Sequence, residues 1–370
     1  MARRGQNQSG RRCVLRKAAL ILTLVALACD DGPTPARPTA WHWVAAFPPA
    51  FRGIGAVAAA SDGAVYLAGT DWEAGDSKAA VYRYADGEFT RVFRSSRAGS
   101  EFKGICAGGG FVWAAGEEKI SANASRPYAV RYDGTRWEEV PFPADIPARG
   151  FYDVYVQRPD CVWFESGPNV YIFRQTAWKE IFHLGNGGWG DLAVTENGRA
   201  YLMACNLSPQ EWVVYVSDDE GASWAREVLP RTYGVYSIAG YFNVPIAPAG
   251  NGLYIATKFN NCGEDPGNHI RYYGIIKRDD APAGRGNYSL AFVAPHGPNF
   301  YSIQTMAFRS PDDGCALGPM TSAALEDGAW TLEQMPAGMP SLEEVAASDT
   351  HYWAVLRGDN VYAAGLWRTP

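Results

Sequence analysis

Short runs of alternating apolar and polar residues recur along the chain as a repeated unit. The unit opens with four residues whose first and fourth positions are apolar. Such segments occur at Phe51–Ile54, Phe102–Ile105, Phe151–Val154, Trp189–Leu192, Val235–Ile238, Phe300–Ile303 and Leu342–Val345. Their fourth positions are 38 to 65 residues apart, a spacing typical of repeats that each form one supersecondary unit. An alternation with a period of two predicts that each segment is a β-strand.

Each opening segment is followed by further predicted strands. The second strand carries an aromatic residue in six copies: Tyr66, Trp113, Trp163, Tyr201, Tyr254 and Trp353. The fourth strand opens with an aromatic residue in six copies: Phe89, Trp137, Trp178, Trp224, Tyr288 and Trp330. The chain contains 40 Gly and 24 Pro in 370 residues, which favours the many turns that short strands require.

The two ends of the chain account for the strand that the last copy lacks. The seventh unit reaches Pro370 after its third strand, and the segment Thr39–Val44 parallels the fourth strand of another copy at Thr176–Ile181. One N-terminal strand therefore completes the final sheet and closes the sheets into a ring. Closure of the ring removes exposed edges, which otherwise invite aggregation. The sequence predicts an all-β fold, a seven-bladed β-propeller of four-stranded antiparallel blades over residues 41–370.

The first 28 residues differ in composition from the rest. Six basic residues precede a largely apolar run from Ala18 to Ala28, and no acidic residue occurs before Asp30. A run of this length rises only about 16 Å as a helix, whereas a bilayer core is roughly 30 Å thick. The pattern therefore predicts a secretory signal rather than a membrane span.

Cys29 follows Leu27 and Ala28 in a segment that resembles the lipobox of bacterial lipoproteins. The resemblance implies a signal peptide over residues 1–28, lipidation of Cys29 and a flexible tether over residues 29–40. It implies an exported lipoprotein, anchored to a membrane on its periplasmic or cell-surface side. Ordinary signal cleavage nearby is the alternative. Residues 11–16 resemble a twin-arginine motif, so the export route is open between that pathway and general secretion.

Charge limits the expected partners. Residues 29–370 carry 27 basic and 39 acidic side chains, which is a net charge of −12. An acidic surface repels phosphate backbones, so nucleic acid is not an expected partner. A chain of this length with abundant aromatic residues can bury a large core, and we expect a single folded domain that is a monomer.

One turn resembles a motif of a known family. Residues 217–224 read Ser217-Asp-Asp219-Glu-Gly221-Ala-Ser223-Trp224, which resembles the Asp-box of BNR propellers, a sialidase-like superfamily. Gly221 permits a positive φ, and the Asp219 carboxylate can accept hydrogen bonds from amides of its own turn. In that family the turn is peripheral and structural, so the resemblance implies a structural role for Ser217, Asp219, Gly221 and Trp224.

The predicted binding face is the channel mouth where the first strand of each blade begins. In propellers, ligands usually bind at this mouth, which is an analogy between folds. Aromatic rings with nearby hydrogen-bonding groups suit sugars or peptides, and packing between blades is the alternative role. The candidate ligand-binding residues are Arg52, Lys103, Tyr152, Trp189, Asp191, Tyr236 and Tyr301. No catalytic residue, cofactor or metal site is predicted.

Five cysteines follow Cys29. Cys205 and Cys262 each come after the second strand of neighbouring predicted blades, so we expect them to form a disulfide in an exported protein. An odd number of cysteines leaves at least one thiol, which we expect to be buried and unreactive.

Two functional hypotheses follow from these observations. The first is a non-catalytic binding or scaffold module whose ligand is a glycan, a peptide or an envelope protein. The alternative is a carbohydrate-active hydrolase or lyase of the sialidase-like type, because Phe51-Arg52-Gly53-Ile54 resembles the opening motif of those enzymes.

Overall fold

Strands and tight turns form the part of the chain that the structure, a computed structural model, describes. This part comprises residues 37–38, 41–73, 75–144, 150–185, 190–207, 210–230, 245–260, 271–293, 303–318, 321–334, 342–349, 351–356 and 365–369. The chain divides into two units, residues 1–37 and 38–370, and the account of the sheets concerns the second. The predicted signal peptide, Cys29 and nearly all of the predicted tether lie outside the described residues.

The described strands form seven antiparallel sheets. Sheet 1 contains β3 (Phe51–Ala59), β4 (Val65–Glu73), β5 (Asp76–Ala85) and β6 (Glu88–Arg94). Sheet 2 contains β7 (Ser100–Gly108), β8 (Phe111–Ser121), β9 (Ala124–Tyr132) and β10 (Trp137–Val140). Sheet 3 contains β11 (Asp153–Arg158), β12 (Cys161–Ser166), β13 (Asn169–Arg174) and β14 (Ala177–His183). Sheet 4 contains β15 (Gly190–Val194), β16 (Ala200–Leu207), β17 (Gln210–Ser217) and β18 (Ala225–Val228).

The remaining sheets follow the same order. Sheet 5 contains β19 (Ile246–Ala249), β20 (Gly252–Asn260), β21 (Arg271–Arg278) and β22 (Tyr288–Val293). Sheet 6 contains β23 (Thr305–Ser310), β24 (Asp313–Leu317), β25 (Thr321–Glu326) and β26 (Ala329–Gln334). The two-residue strand β1 (Arg37–Pro38) lies at the boundary between the two units. Sheet 7 contains β27 (Leu342–Ala347), β28 (Tyr352–Leu356), β29 (Gly365–Arg368) and β2 (His42–Ala46). Within these ranges no helix has the length and apolar character needed to cross a bilayer.

The first strand of each sheet lies at the centre of a closed ring. β3 contacts β7, β7 contacts β11, and the series continues through β15, β19, β23 and β27 back to β3. Each sheet therefore has two neighbours, which is the arrangement of a propeller. The predicted fold class, a seven-bladed β-propeller, is confirmed.

The core consists of apolar layers between neighbouring sheets. Seven hydrophobic clusters occur among the described residues, and each combines residues of two adjacent sheets. Neighbouring residues of one strand serve different layers, because side chains alternate across a strand. Trp163 faces Leu192 of sheet 4, whereas Phe164 packs with Trp113 of sheet 2. The repeated aromatic residue of the second strand thus fills these layers.

The N-terminal strand closes the ring as predicted. β2 pairs antiparallel with β29 and is the outermost strand of sheet 7, after β27, β28 and β29. Trp41, just before β2, is only 3 % exposed and packs with Leu317 and Tyr352 between sheets 6 and 7. The segment therefore contributes both hydrogen bonds and core volume.

The start of one blade differs from the prediction. The first strand of sheet 6 is β23, which begins at Thr305, after the predicted segment Phe300–Ile303. That prediction was wrong because periodicity alone cannot choose between nearby apolar candidates. In sheet 5 the first described strand is β19, at Ile246–Ala249, and the predicted segment Val235–Ile238 lies outside the described residues.

The register of sheet 1 also differs from the prediction. Ile54 pairs with Gly69, just as Phe102 pairs with Gly116 at the equivalent position of sheet 2. Arg52 is consequently equivalent to Glu101 and not to Lys103. Irregularities in β3 on either side of Ile54 cause the shift, because a bulge adds residues to one strand without adding partners on the other.

Candidate functional site

A cavity of about 800 Å³ opens at the end of the channel where the first strands finish. It is lined by the turns after β3, β7 and β27, with Glu196 from the turn after β15. These turns belong to sheets 1, 2, 7 and 4, so the cavity belongs to the ring and not to one blade. It lies at the opposite end from the predicted binding face. A volume of this size is within the usual range of ligand sites.

Aromatic side chains form one wall of the cavity between sheets 1 and 2. Tyr132 and Trp137 are stacked with their ring centroids 5.4 Å apart, and Tyr66 also lines the cavity. The Tyr132 hydroxyl donates a hydrogen bond of 2.8 Å to the carbonyl oxygen of Gly134, which holds the ring beside the turn before β10. The wall thus offers rigid apolar surface whose orientation is set by the turn.

A small polar group lies beside this wall. Arg83 Nη2 donates to Asp62 Oδ2 at 3.4 Å, and the amide of Ala64 donates to Asp62 Oδ1 at 3.0 Å. Burial raises the pKa of the Tyr66 hydroxyl, and its hydrogen bond with Arg83 offsets part of that effect. Arg83 therefore presents a guanidinium to the cavity while bound to two of its lining residues.

At the opposite end of the channel, two of the predicted ligand-binding residues meet. Lys103 Nζ is 4.9 Å from the ring centroid of Tyr152. The same ammonium is 3.1 Å from Glu117 Oε1 and 3.3 Å from Glu101 Oε1. Burial would lower the pKa of Lys103, but the two glutamates outweigh it and raise the pKa. Lys103 is thus a cation that already has anionic partners.

Asp191, another predicted residue, lies near a second aspartate. Asp191 Oδ2 accepts a 2.9 Å hydrogen bond from the amide of Ile246, which links sheets 4 and 5. Asp153, the first residue of β11, accepts 2.7 Å bonds from the amide of Val154 and the hydroxyl of Tyr155. Burial raises the pKa of Asp153 to about 6. Burial, together with the charge of Asp153, raises the pKa of Asp191 to about 8.

Glu165 adds a third carboxyl group to this end of the channel. It is the cross-strand partner of Asp153, so the two side chains lie on the same face of sheet 3. Glu165 is only 4 % exposed. Burial, followed by the charges of Asp191 and Asp153, raises its pKa well above the ordinary value. We call Asp153, Glu165 and Asp191 the channel carboxyl cluster.

The other predicted ligand-binding residues do not join a described site. Arg52 is exposed at the start of β3. Trp189, Tyr236 and Tyr301 lie outside the described residues. The structure therefore brings together Lys103 with Tyr152, and places Asp191 in the channel carboxyl cluster.

The turn that resembles an Asp-box is held by its own side chains. Ser217 Oγ donates to Asp219 Oδ1, and the amides of Gly221 and Ser223 donate to Ser217 Oγ and Asp219 Oδ1, all at 2.8 Å. Gly221 has a φ of 81°. Trp224, at the end of the turn, packs against Trp163 of sheet 3 with the ring centroids 6.4 Å apart. These contacts lie at the junction of sheets 3 and 4. They involve neither the residues that line the cavity nor those of the channel carboxyl cluster.

Three cysteines of the described residues are free thiols: Cys106, Cys161 and Cys315. Burial raises the pKa of Cys106 to about 11 and raises that of Cys315 well above its ordinary value. These thiols are therefore protonated at neutral pH, and protonated thiols are poor nucleophiles. Of the pair expected to form a disulfide, Cys262 and the side chain of Cys205 lie outside the described part of the chain.

Sequence reasoning missed the cavity and Glu165, and it did not select Asp153 as a candidate ligand-binding residue. Glu165 interrupts the otherwise apolar run from Cys161 to Phe164 in a second strand, and a charged residue in a buried run is a signal that could have been used. Asp153 is the first residue of β11, next to the candidate Tyr152, and its signal in the sequence was weaker. The cavity had no signal in the sequence, because it depends on turns from four different sheets meeting at one end.

These features define the class of the protein: it is a seven-bladed β-propeller with a cavity at one end of its channel and buried carboxyl groups at the other. No protein-family model matches the chain, and no curated protein sequence matches it significantly. Neither the BNR resemblance nor the lipobox resemblance is thus supported by a family match.

Among solved structures, the chain is similar to Sqt1. The Chaetomium thermophilum Sqt1 bound to the N-terminus of ribosomal protein L10 is 11% identical, with a TM-score of 0.52 and 82% of each chain covered. A second structure of Sqt1 from that organism is 12% identical, with a TM-score of 0.53 and coverage of 85% of this chain and 81% of the other. Saccharomyces cerevisiae Sqt1 is 10% identical, with a TM-score of 0.50 and coverage of 84% and 81%. At these identities the likeness concerns the fold.

The predicted localisation is corrected by these comparisons. The three structures named above are of Sqt1, one of them bound to the N-terminus of a ribosomal protein, and none of them is described as a membrane-anchored lipoprotein. The prediction of an exported lipoprotein anchored in the envelope was therefore wrong. It depended only on the basic and apolar pattern of the first 29 residues, which lie outside the part of the chain that the structure describes.

Proposed function

We propose that this chain is a non-catalytic binding module that takes a short segment of a partner protein into the cavity at the end of its channel. The observation that carries the proposal is the cavity of about 800 Å³ with one aromatic wall. Concave sites of this size, with apolar walls and a few oriented polar groups, are the usual form of binding sites.

The lining favours an extended segment with an apolar side chain. The stacked rings of Tyr132 and Trp137 offer a flat surface, and aromatic surfaces dominate the energetics of protein interfaces. Arg83 and Asp62 supply a donor and an acceptor that suit the carbonyl and amide groups of a backbone. Because these side chains lie at the end of a ring of rigid sheets, they would hold a segment without a rearrangement of the fold.

The comparison with Sqt1 supports a protein ligand. One of the similar propellers was solved in complex with the N-terminus of ribosomal protein L10, which is a terminal protein segment. A propeller of this fold can therefore bind such a segment.

A variant in which the cavity is blocked tests the proposal. Peptides that bind the protein are first selected from a displayed library of random 12-residue sequences, and their affinities are measured by calorimetry. Ser61 is exposed in the turn after β3 and lines the cavity. We expect Ser61→Trp to fill the opening and to weaken the selected peptides by at least about tenfold, as the loss of one central interface contact does.

The matched control places the same ring elsewhere. Ser289 is exposed on β22, the outermost strand of sheet 5, and neither it nor the other residues of that sheet line the cavity. Ser289→Trp should leave the affinities unchanged. If the library yields no binder, or if both variants bind equally well, the cavity is not a site for protein segments. Selection of glycans from an array in place of peptides would also contradict the proposal.

A further inference from the structure

The channel carboxyl cluster brings together three carboxyl groups that pair with no described cation. Asp153 is the first residue of β11, Asp191 is the second residue of β15, and Glu165 is paired with Asp153 across sheet 3. The positive groups nearest in sheet 2 are already engaged, because Lys103 is bound between Glu101 and Glu117. Within the described ranges, none of the three carboxyl groups is in an ion pair.

Glu165 gives an independent indication of a missing ligand. Its residue is 96 % buried, since only 4 % of its surface is exposed. In the described part of the chain no donor reaches its carboxyl group, whereas Asp153 and Asp191 each accept a bond from a backbone amide. A buried polar group without a partner is costly, and such groups in a folded protein call for an explanation. Its interactions with Asp153 and Asp191 show that it faces them.

The geometry distinguishes between a metal ion and an organic cation. Among the described residues, no three Asp, Glu, His or Cys side chains are arranged to hold one metal ion. A metal needs its oxygen ligands at about 2.0–2.6 Å from one point. A lysine ammonium or an arginine guanidinium instead carries several N–H donors at different positions, so it can reach carboxylates that are further apart.

Space for the carboxyl groups is built into the neighbouring strand. A Cβ atom on Gly104 would lie 2.9 Å from Asp153 Oδ1 and 2.8 Å from Asp153 Cα. Any larger residue at that position would push the carboxyl group out of its place on the innermost strand. Tyr155, which donates to Asp153, fixes the same group from its other side.

We propose that the channel carboxyl cluster is a binding site for an organic cation, a primary ammonium or a guanidinium, that enters the end of the channel where the first strands begin. A basic side chain of a partner protein and a free polyamine share this chemistry. The site lies at the opposite end of the channel from the cavity of the proposed function, so the two can be tested separately.

Calorimetry on the full chain at low salt tests the site with three probes: the peptide Gly-Lys-Gly-Lys-Gly-Lys-Gly, the same peptide with acetylated lysines, and spermidine. We expect the charged peptide to bind and the acetylated peptide not to bind. Binding of spermidine with equal strength would identify a free polyamine as the source of the cation, and stronger binding of the peptide would identify a protein.

Because the carboxyl groups must lose protons to pair with a cation, affinity should increase from pH 6 to pH 9, with proton release seen in buffers of different ionisation enthalpy.

Two isosteric variants locate the binding. Glu165→Gln and Asp191→Asn keep the shape of each side chain and should each weaken the charged peptide by roughly thirtyfold or more, as expected when one partner of a buried charged pair is removed. Glu333→Gln is the matched control, because Glu333 is also buried but lies in sheet 6, bonded to Ser322. Its affinity should equal that of the original chain.

Three results would overturn the proposal. They are no binding of either charged probe, equal binding of the acetylated peptide, and unchanged affinity in both Glu165→Gln and Asp191→Asn. Thermal unfolding of each variant verifies that it is folded, and each variant serves as a test if the other does not fold. Loss of peptide selection in Ser61→Trp has no bearing on these outcomes, because that variant alters the other end of the channel.

Discussion

At the scale of single residues, space near the ring axis decides several positions. A Cβ atom on Gly55 would lie 2.4 Å from the carbonyl oxygen of Phe102, and one on Gly116 would lie 2.0 Å from that of Glu101. Both glycines have ordinary backbone conformations, so close packing and not a positive φ requires them. In the sequence they are indistinguishable from glycines of turns.

A pair of glycines separates backbone strain from crowding. Gly221 and Gly63 both have a φ of 81°, but a Cβ atom on Gly221 would meet Ile181 at 2.5 Å and Trp163 at 3.2 Å, whereas one on Gly63 would meet nothing within 4 Å. We expect Gly63→Ala to lower the free energy of unfolding by about 1–2 kcal/mol through the left-handed backbone alone. Gly221→Ala should cost about 1–3 kcal/mol more, because the core there is overpacked.

Urea unfolding of the two variants and the original chain measures the difference. Ile181 can shift, since its methyl end is flexible, but Trp163 is fully buried and cannot. Equal costs for the two substitutions would show that the turn beside Trp163 relaxes freely and that its packing is not specific.

At the scale of elements, the last blade depends on a strand from the other end of the chain. β2 supplies the outer edge of sheet 7 by pairing with β29. Without it, β29 would present unpaired backbone groups, which invite association with other chains. The pairing joins the two ends of the folded ring, although the two strands are far apart in the sequence.

Removal of β2 should therefore destabilise the whole ring. A chain that begins at Phe47 lacks β2 and Trp41, and loss of the Trp41 side chain alone should cost about 3–5 kcal/mol. We expect a lower melting temperature and association that increases with concentration, measured by calorimetry and light scattering. A chain that begins at Pro38 retains β2 and is the control. Identical melting and a monomeric state in both chains would contradict this role of β2.

Element boundaries were predictable where turns are short and not where they are long. The short turns after β3 and β7 contain glycine, and the strands on either side of each turn lie where the alternation predicts them. Between β22 and β23 the chain runs from Val293 to Thr305, and an apolar segment within this stretch was taken for the first strand of sheet 6. A longer connection contains more segments with a suitable pattern, and only pairing with β24 selects among them.

At the scale of the whole molecule, the ring concentrates acidic groups on its axis. Asp153, Glu165 and Asp191 come from two sheets and three strands. The charge of Asp153 raises the pKa of both other members of the cluster, and the charge of Asp191 also raises the pKa of Glu165. Tyr155 of β11 and the buried thiol of Cys106 on β7 also face Asp153. No pair of these residues is close in the sequence except Asp153 and Tyr155.

The cluster should make stability depend on pH. The folded pKa values of Asp153, about 6, and Asp191, about 8, lie above the unfolded value of about 3.9. The folded chain therefore binds more protons, and the free energy of unfolding should decrease as the pH rises from 4 to 8. Asp191→Asn should reduce this decrease, most clearly between pH 6 and pH 8, in urea unfolding at each pH. Asp86→Asn, in an exposed turn, should follow the original profile, and an Asp191→Asn profile with the same slope would contradict the assignment.

The candidate sites could be predicted only in part. Asp191, Lys103 and Tyr152 were selected from the sequence because they begin first strands, where a propeller opens its channel. Arg52 was aligned incorrectly, since the irregularities of β3 make it equivalent to Glu101 and not to Lys103. The cavity between the turns of four sheets was not predicted, because residues from distant repeats meet there.

The amino-acid pattern alone specifies the strands, the number of blades and the closure of the ring by β2. Alternation and repeat length are properties of neighbouring residues, and an apolar strand face can be buried only against another sheet. The folded ring sets the register of β3, the cavity at one end of the channel and the proton affinities of the carboxyl cluster at the other. These depend on distances between groups that are far apart along the chain, and such distances exist only once the seven sheets have closed on one another.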